Sequence, residues 1–245
     1  MPTTDDSILG GRVRLRQSMS GYRAGMDAAL LAAACDAGPG ARVLDVGCGV
    51  GAVMLAAAAR RPGASFTGLE RDPGAAELAR ANIGLNGWES RMSVTVGDIA
   101  APFSKLRLAP FDAVLANPPF FDDEAALRGP SEAKRDAWLT AERLGTWMAF
   151  LGKAAREGGS ITLIHRADRL AGLLAALGPK AGSFQIRPIH PFADAPAKRA
   201  LIRAVKTGKA PLRLLPPLIL HERGGAKHTA ETEAILRGEA QLGWR

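Results

Sequence analysis

Cysteine is scarce: only Cys35 and Cys48 occur in 245 residues, and they form no C-x-x-C pair. That excludes a disulfide framework, offers no zinc-site spacing and fits a reducing, cytoplasmic setting. Long apolar runs are also missing, and none approaches the ~20 residues of a membrane span. The opening MPTTDDSILGG is acidic and polar, without the basic and apolar regions of a secretory signal. The chain has no internal repeat, low-complexity segment or long linker. With 47 % hydrophobic residues it is expected to be globular, and its length suits one large domain or two small ones.

Acidic residues are missing from one region in particular. Residues 1–150 carry 16 Lys or Arg and 17 Asp or Glu, and residues 214–245 carry 4 of each. Residues 151–213 carry 12 basic and only 3 acidic residues, so the net charge of +8 resides there. A localised excess of this kind suggests a polyanionic partner on the C-terminal half, against the plainer reading of solvated faces kept for solubility.

What is present is an alternation of short apolar runs with helical patterns. Strands are expected at Arg42–Val46, Ser65–Glu70, Met92–Val96, Phe111–Ala116, Ser160–His165, Phe184–Ile189 and Arg199–Lys206, with helices near 26–36, 51–61, 73–86, 134–157 and 167–177. Such alternation implies a seven-stranded, mostly parallel sheet with helices on both faces. The last two strands follow too closely for a crossover helix and should form an antiparallel edge hairpin. ILGGRVRLRQ reads as a small N-terminal hairpin, the segment after Leu212 breaks at Pro216-Pro217, and 229–241 reads as a terminal helix. Asp72, Pro73 and Gly87 mark the ends of the third helix.

VLDVGCGVGAVML places Gly47, Gly49 and Gly51 between a strand and a helix. Glycines there let the chain turn tightly and let a ligand approach free helix-start N–H groups. Glu70 ends the second strand, 23 residues after Gly47, where a carboxylate can accept both hydroxyls of a ribose. Asp98 follows the third strand and could accept from an adenine amino group, with the Ile99 N–H reading a ring nitrogen. The nicotinamide fingerprint G-x-G-x-x-G is not met, since Ala52 follows Gly51. Asp45, Glu70 and Asp98 at successive strand ends fit S-adenosylmethionine better, although a glycine-rich loop by itself is also just a tight turn. Tyr22, Gly25, Cys48 and Arg71, which neighbour this set, are expected to bind the cofactor as well.

The fourth strand ends in Asn117-Pro118-Pro119-Phe120. A conjugated amino group is a poor nucleophile but needs no strong base before attack. Acceptors aimed at its two N–H bonds would push its lone pair towards a methyl donor, and the Asn117 side-chain oxygen and Pro118 carbonyl are two such acceptors. The prolines hold that carbonyl rigidly and have no N–H to cover it. Phe120, followed by Phe121, offers a stacking face for a planar base.

Asn-Pro-Pro-Phe after a G-x-G-x-G loop resembles the class I, Rossmann-like methyltransferases that modify amino nitrogens. Within that group GGRVRLRQ, GYRAGMD, NPPFF and PLILHE are most similar to the bacterial tRNA(Val) adenine-N6 methyltransferases. The resemblance implies cofactor contacts from Asp45, Gly47, Gly49, Gly51, Glu70, Asp98 and Asn117, and an amino group held by Asn117, Pro118, Pro119 and Phe120. It implies a tRNA substrate, modified next to the anticodon. Relatives often carry Tyr at Phe120 and a hydroxyl residue at Met26, so this chain departs there. Ribosomal guanine-N2 and release-factor glutamine-N5 methyltransferases share the chemistry and remain alternatives, as does an RNA-binding protein that holds the cofactor only as a ligand.

On this basis the chain is expected to be one methyltransferase domain, with residues 1–25 an extension, 26–213 the core and 214–245 a C-terminal extension. It would be a monomer or weak homodimer with no metal and no membrane partner. Lys198 and Arg199 lead a basic run through Arg213 that would share a face of the edge hairpin and bind phosphates. His165, Arg166 and Asp168 read as a polar helix start, and His190, His221 and His228 show no metal spacing. The loop Asp122–Arg135 is expected either to order over substrate or to be an insertion without a role.

Overall fold

The computed structural model describes residues 2–19, 25–119 and 143–245. Tyr22, Phe120, Phe121 and the loop Asp122–Arg135 lie outside the described residues.

The chain opens with strands β1 (Thr3–Ile8) and β2 (Val13–Ser18), an antiparallel hairpin longer than the sequence suggests. Strict alternation in β2 turns Val13, Leu15 and Gln17 inward and Arg14 and Arg16 outward. Helix α1 (Met26–Ala33), strand β3 (Arg42–Val46), helix α2 (Ala52–Arg60), strand β4 (Ser65–Glu70), helix α3 (Pro73–Leu85) and strands β5 (Met92–Val96) and β6 (Phe111–Ala116) follow. Next come helix α4 (described over 143–154), strand β7 (Ala155–Arg166), helix α5 (Leu170–Leu177) and strands β8 (Ala181–His190) and β9 (Arg199–Lys206). Two short strands, β10 (Arg213–Leu214) and β11 (Leu218–Ile219), and helix α6 (Ala230–Leu236) complete it.

The main sheet runs β10-β8-β9-β7-β6-β3-β4-β5, with β11 also on β8, giving nine strands where seven were expected. The four pairings from β5 across to β7 are all parallel, and β9 alone is reversed. The antiparallel β8–β9 pair exists, but it is not an edge. β9 is inserted beside β7, and Pro216-Pro217 breaks the following segment into β10 and β11, which both pair with β8 in parallel. The expected strand at Ser160 begins five residues earlier, because Gly158 (φ 72°) and Gly159 carry a bulge against Phe111 and Asp112.

Alternation along β3 fixes which side each residue serves. Val43 packs with α1, α2 and the hairpin, whereas Leu44 and Val46 pack with α4 and the helix side of β7. Asp45 therefore lies on the α2 side. α3 starts as expected, with the Asp72 carboxylate accepting from Gly74 N at 2.8 Å and Pro73 at the first position. The C-terminal segment folds back over α1, where Trp244 Nε1 donates to the Ala34 carbonyl at 2.8 Å.

The register brings the strand ends to one edge. Val46 lies opposite Leu69 and Ala116, Glu70 opposite Val96, and Leu163 opposite Ala116. Whatever follows those residues therefore gathers at the carboxyl end of the sheet, where open α/β sheets bind ligands.

Candidate active site

Gly47, Gly49 and Gly51 all adopt positive φ, at 69°, 54° and 91°. Two of them are also hemmed in. A Cβ on Gly47 would stand 2.7 Å from Trp147 Cη2, and one on Gly51 2.9 Å from Met54 Cε. Nothing lies within 4 Å of the corresponding position at Gly49, so the loop is packed underneath and open on one side. Gly47 N and Cys48 N donate to the Leu69 carbonyl at 2.8 and 3.1 Å, which fastens the loop to the end of β4.

Glu70 braces the same loop. One of its oxygens accepts from Gly49 N and the other from Asp72 N, each at 2.9 Å. Each oxygen keeps a further lone pair for a ligand hydroxyl. Gly97 N donates to the Glu70 carbonyl at 2.9 Å, bringing the exit of β5 alongside. Asp98 is exposed there with one oxygen accepting from Ala100 N at 2.9 Å, and Ile99 is half-buried. Arg71 is exposed, and Gly25 is the residue before α1.

Asp45 does not sit where a direct contact needs it. Its side chain is 1 % exposed beneath α2 and accepts from Met54 N at 3.1 Å, so it shapes the loop and the helix start from below. Burial pushes its carboxyl up to about 8, with the Met54 N–H opposing and the Glu70 charge adding to the rise. Cys48 fills a slot that exists only because residue 68 is glycine, where a Cβ would lie 2.6 Å from its sulfur. Burial raises its thiol well above the ordinary range, which makes it inert.

Asn117 follows Ala116 and so stands one strand over from Gly47; it is half-buried, Pro118 buried and Pro119 exposed. The basic run is not a free patch. Arg199 pairs with Asp27 at 3.0 Å, Arg203 with Asp36 at 2.6 Å and Lys206 with Glu157 at 3.3 Å, ties that pin β9 to α1, to the segment after it and to β7. Lys198 remains exposed.

Two groups had no legible signal in the local sequence. Trp147, from α4, backs Gly47 across the sheet. Asn82, fully buried in α3, donates to the Arg16 and Val50 carbonyls, both at 2.9 Å, and accepts from Arg16 N at 2.7 Å. It thereby joins the hairpin to the glycine loop. Asn86, one turn on, does the same for Arg14, so two amides on one helix face serve β2 as a partner strand. Asn82 inside the helix, where its propensity is poor, and Asn86 at its C-cap stand one turn apart, but nothing near them in sequence names β2 as their partner.

An open glycine cradle with a carboxylate at the next strand end and an acid at the third suits a nucleoside cofactor. The comparisons with known proteins agree. Residues 20–129 match the model of the methyltransferase small domain. A tRNA1(Val) (adenine(37)-N6)-methyltransferase of Porphyromonas gingivalis is 32 % identical over 183 residues, 71 % of this chain and 69 % of that protein. The chain belongs to that methyltransferase family. A release factor glutamine methyltransferase of Rhodospirillum rubrum is 29 % identical over 80 % of this chain, which spans 60 % of that protein. Among solved structures, a predicted O-methyltransferase from Agrobacterium tumefaciens superposes with a TM-score of 0.75 at 29 % identity, covering 88 % of this chain and 98 % of that one. The fold of this methyltransferase is the class I, Rossmann-like one, and the methyl donor of the family is S-adenosylmethionine.

Proposed function

We propose that this methyltransferase transfers a methyl group to an exocyclic amino nitrogen of RNA, with adenine N6 next to the anticodon of a tRNA as the first substrate, and that it works in the cytoplasm as one domain. The observation that carries the reading is the exit of β6. Asn117-Pro118-Pro119 leaves the sheet directly beside Gly47, so amide and carbonyl acceptors stand one strand from the glycine cradle.

S-adenosylmethionine, when bound, supplies a methyl group activated on a sulfonium centre. The chain's own residues do the rest. Gly49 leaves room for close approach, Glu70 accepts from ribose hydroxyls, and Asp98 with the Ile99 N–H reads the adenine. Asp45 under α2 and Trp147 from α4 hold the loop from opposite faces of the sheet. The Asn117 side-chain oxygen and the Pro118 carbonyl accept the two N–H bonds of the target, which localises its lone pair; the proton is shed after transfer, so no strong base is required. Phe120 offers the stacking surface. A base hidden in a stacked loop would be splayed out to reach it.

The long alignment with the glutamine methyltransferase favours a second reading, in which the same acceptors hold a side-chain amide. A labelled-methyl assay on total tRNA, rRNA and protein extract from an undermodified strain separates the readings. N6-methyladenosine in tRNA supports the first. N2-methylguanosine or methylglutamine keeps the chemistry and replaces the substrate. Cofactor binding with no label anywhere refutes catalysis. Asn117→Ala is expected to abolish turnover and leave cofactor affinity within a few-fold; joint loss of both would make Asn117 a pocket-shaping residue.

A further inference from the structure

The carboxyl edge of the sheet continues well past Asn117. Arg166 at the end of β7 is level with Arg199, Arg199 with Ile189 of β8, and His190 with Ile219 of β11. Phe192 and His221, each two residues beyond its strand, therefore emerge on the same edge as the glycine loop. Strand spacing puts β8 about 14 Å from β6, too far for the target base itself but within reach of a neighbouring nucleotide.

There the side chains form a run of rings in contact, stacked at His228–His221 and tilted by 48° at His221–Phe192. His228 stacks on His221 with centroids 5.1 Å apart, and His221 lies against Phe192 at 5.6 Å. The Arg223 guanidinium covers Phe192 at 4.4 Å from its ring centre. Three bonds to Asp194, two from Nε at 3.2 Å and one from Nη2 at 3.1 Å, fix the guanidinium plane, while its side chain stays 64 % exposed. The Lys227 carbonyl anchors His221 Nδ1 at 2.6 Å. The run borders a recess of about 450 Å³ that Ile219 and Glu222 also line.

We infer that a single-stranded RNA base flanking the target stacks on the outer face of the Arg223 guanidinium, extending this run by one plane. Guanidinium planes and rings are the platforms that unstacked bases use. Arg223 is the exposed end of the run, and its plane is already oriented by Asp194 and backed by Phe192. Glu222 and Asp194 oppose a phosphate at this spot, which favours a base over a backbone contact. The inference rests on the RNA reading of the active site.

The test is fluorescence anisotropy of labelled tRNA and of a single-stranded anticodon-loop oligonucleotide over a salt series, with cofactor affinity measured in parallel. Arg223→Lys keeps the charge and loses the plane, and Phe192→Leu keeps apolar bulk and loses the ring. Both are expected to weaken RNA about tenfold at every salt concentration, with the salt slope and cofactor affinity unchanged. RNA binding by Arg223→Lys equal to wild type would reduce Arg223 to a charge and overturn the stacking inference. Methylated RNA with unchanged affinity in both variants would overturn the inference alone. A wild-type protein that binds no RNA and methylates a peptide would overturn the RNA reading as well.

Discussion

Replacing Asp45 with asparagine should change the sign of its effect on stability with pH. The carboxyl is buried under α2 with an ordinary value of 3.8 and a folded value of about 8. Its neutral form is favoured by folding, so its contribution is fully present below pH 3.8, is lost as pH rises through about 8, and is flat above. At 1.36 kcal/mol per unit, wild type should give up roughly 4 kcal/mol between pH 4 and pH 7 and roughly 6 kcal/mol above pH 8 from this one group. Asparagine retains an oxygen for Met54 N but brings an NH₂ group into a site that offers it little. A buried donor without a partner costs about 1–3 kcal/mol at every pH. Asp45→Asn should therefore be less stable than wild type near pH 4 by about 1–3 kcal/mol and more stable above pH 8 by about 3–5 kcal/mol, with the curves crossing near pH 5–6. Urea midpoints for both proteins from pH 4 to pH 9 measure it, and other groups cancel in the difference. A difference that does not vary with pH would mean that Asp45 is ionised in the fold, and the picture of a neutral carboxyl holding the helix start would fail.

His165 works in the opposite direction. It is 2 % exposed, and burial lowers its ring from 6.5 to about 4. Its contribution is present above 6.5 and lost as pH falls to about 4, so between those values it offsets Asp45; His165→Met should remove about 3 kcal/mol of acid sensitivity in the same urea series. Gly47→Ala meets both a positive φ and Trp147, and should lose about 1–3 kcal/mol of stability together with cofactor affinity. Adding Trp147→Leu relieves the clash but not the backbone strain, so the double variant should recover stability in part; full recovery would show that the φ penalty is negligible. Lys198→Ala should lower the salt slope of RNA binding by about 1, whereas Arg199→Ala should mainly destabilise through loss of the Asp27 pair. Equal slope changes from the two would mean that Arg199 leaves Asp27 for a phosphate.

The parts legible in the sequence are those whose physics is local. The glycine loop and the Asp72 cap each read out within a few residues, because backbone conformation and capping are written there. The parallel order followed from strand–helix alternation. What could not be read depends on which elements meet. The run from Lys198 to Arg213 reads as one free basic face only while Asp27, Asp36 and Glu157 are distant in sequence; the sheet brings those acids against Arg199, Arg203 and Lys206 and leaves Lys198 exposed. β8 looks like an edge until the chain after Leu212 returns to cover it. Asp45 looks like a ligand contact because it precedes the loop by two residues, yet the parity of β3 turns it towards α2.

That parity has a consequence for function. The loop is held by different elements: Glu70 and Leu69 from β4 beside it, Asp45 through α2 on one face of the sheet and Trp147 through α4 on the other. Of the three loop glycines only Gly49 has nothing within 4 Å of its Cβ position, and among the described residues Glu70 both braces the loop and keeps lone pairs for a ligand. On the proposed role of Glu70, a cofactor hydroxyl bonded there would act on the residue that already orients the Gly49 N–H. Glu70→Gln keeps one acceptor oxygen and sets an NH₂ group against either Gly49 N or Asp72 N, so it is expected to weaken both the loop and cofactor affinity.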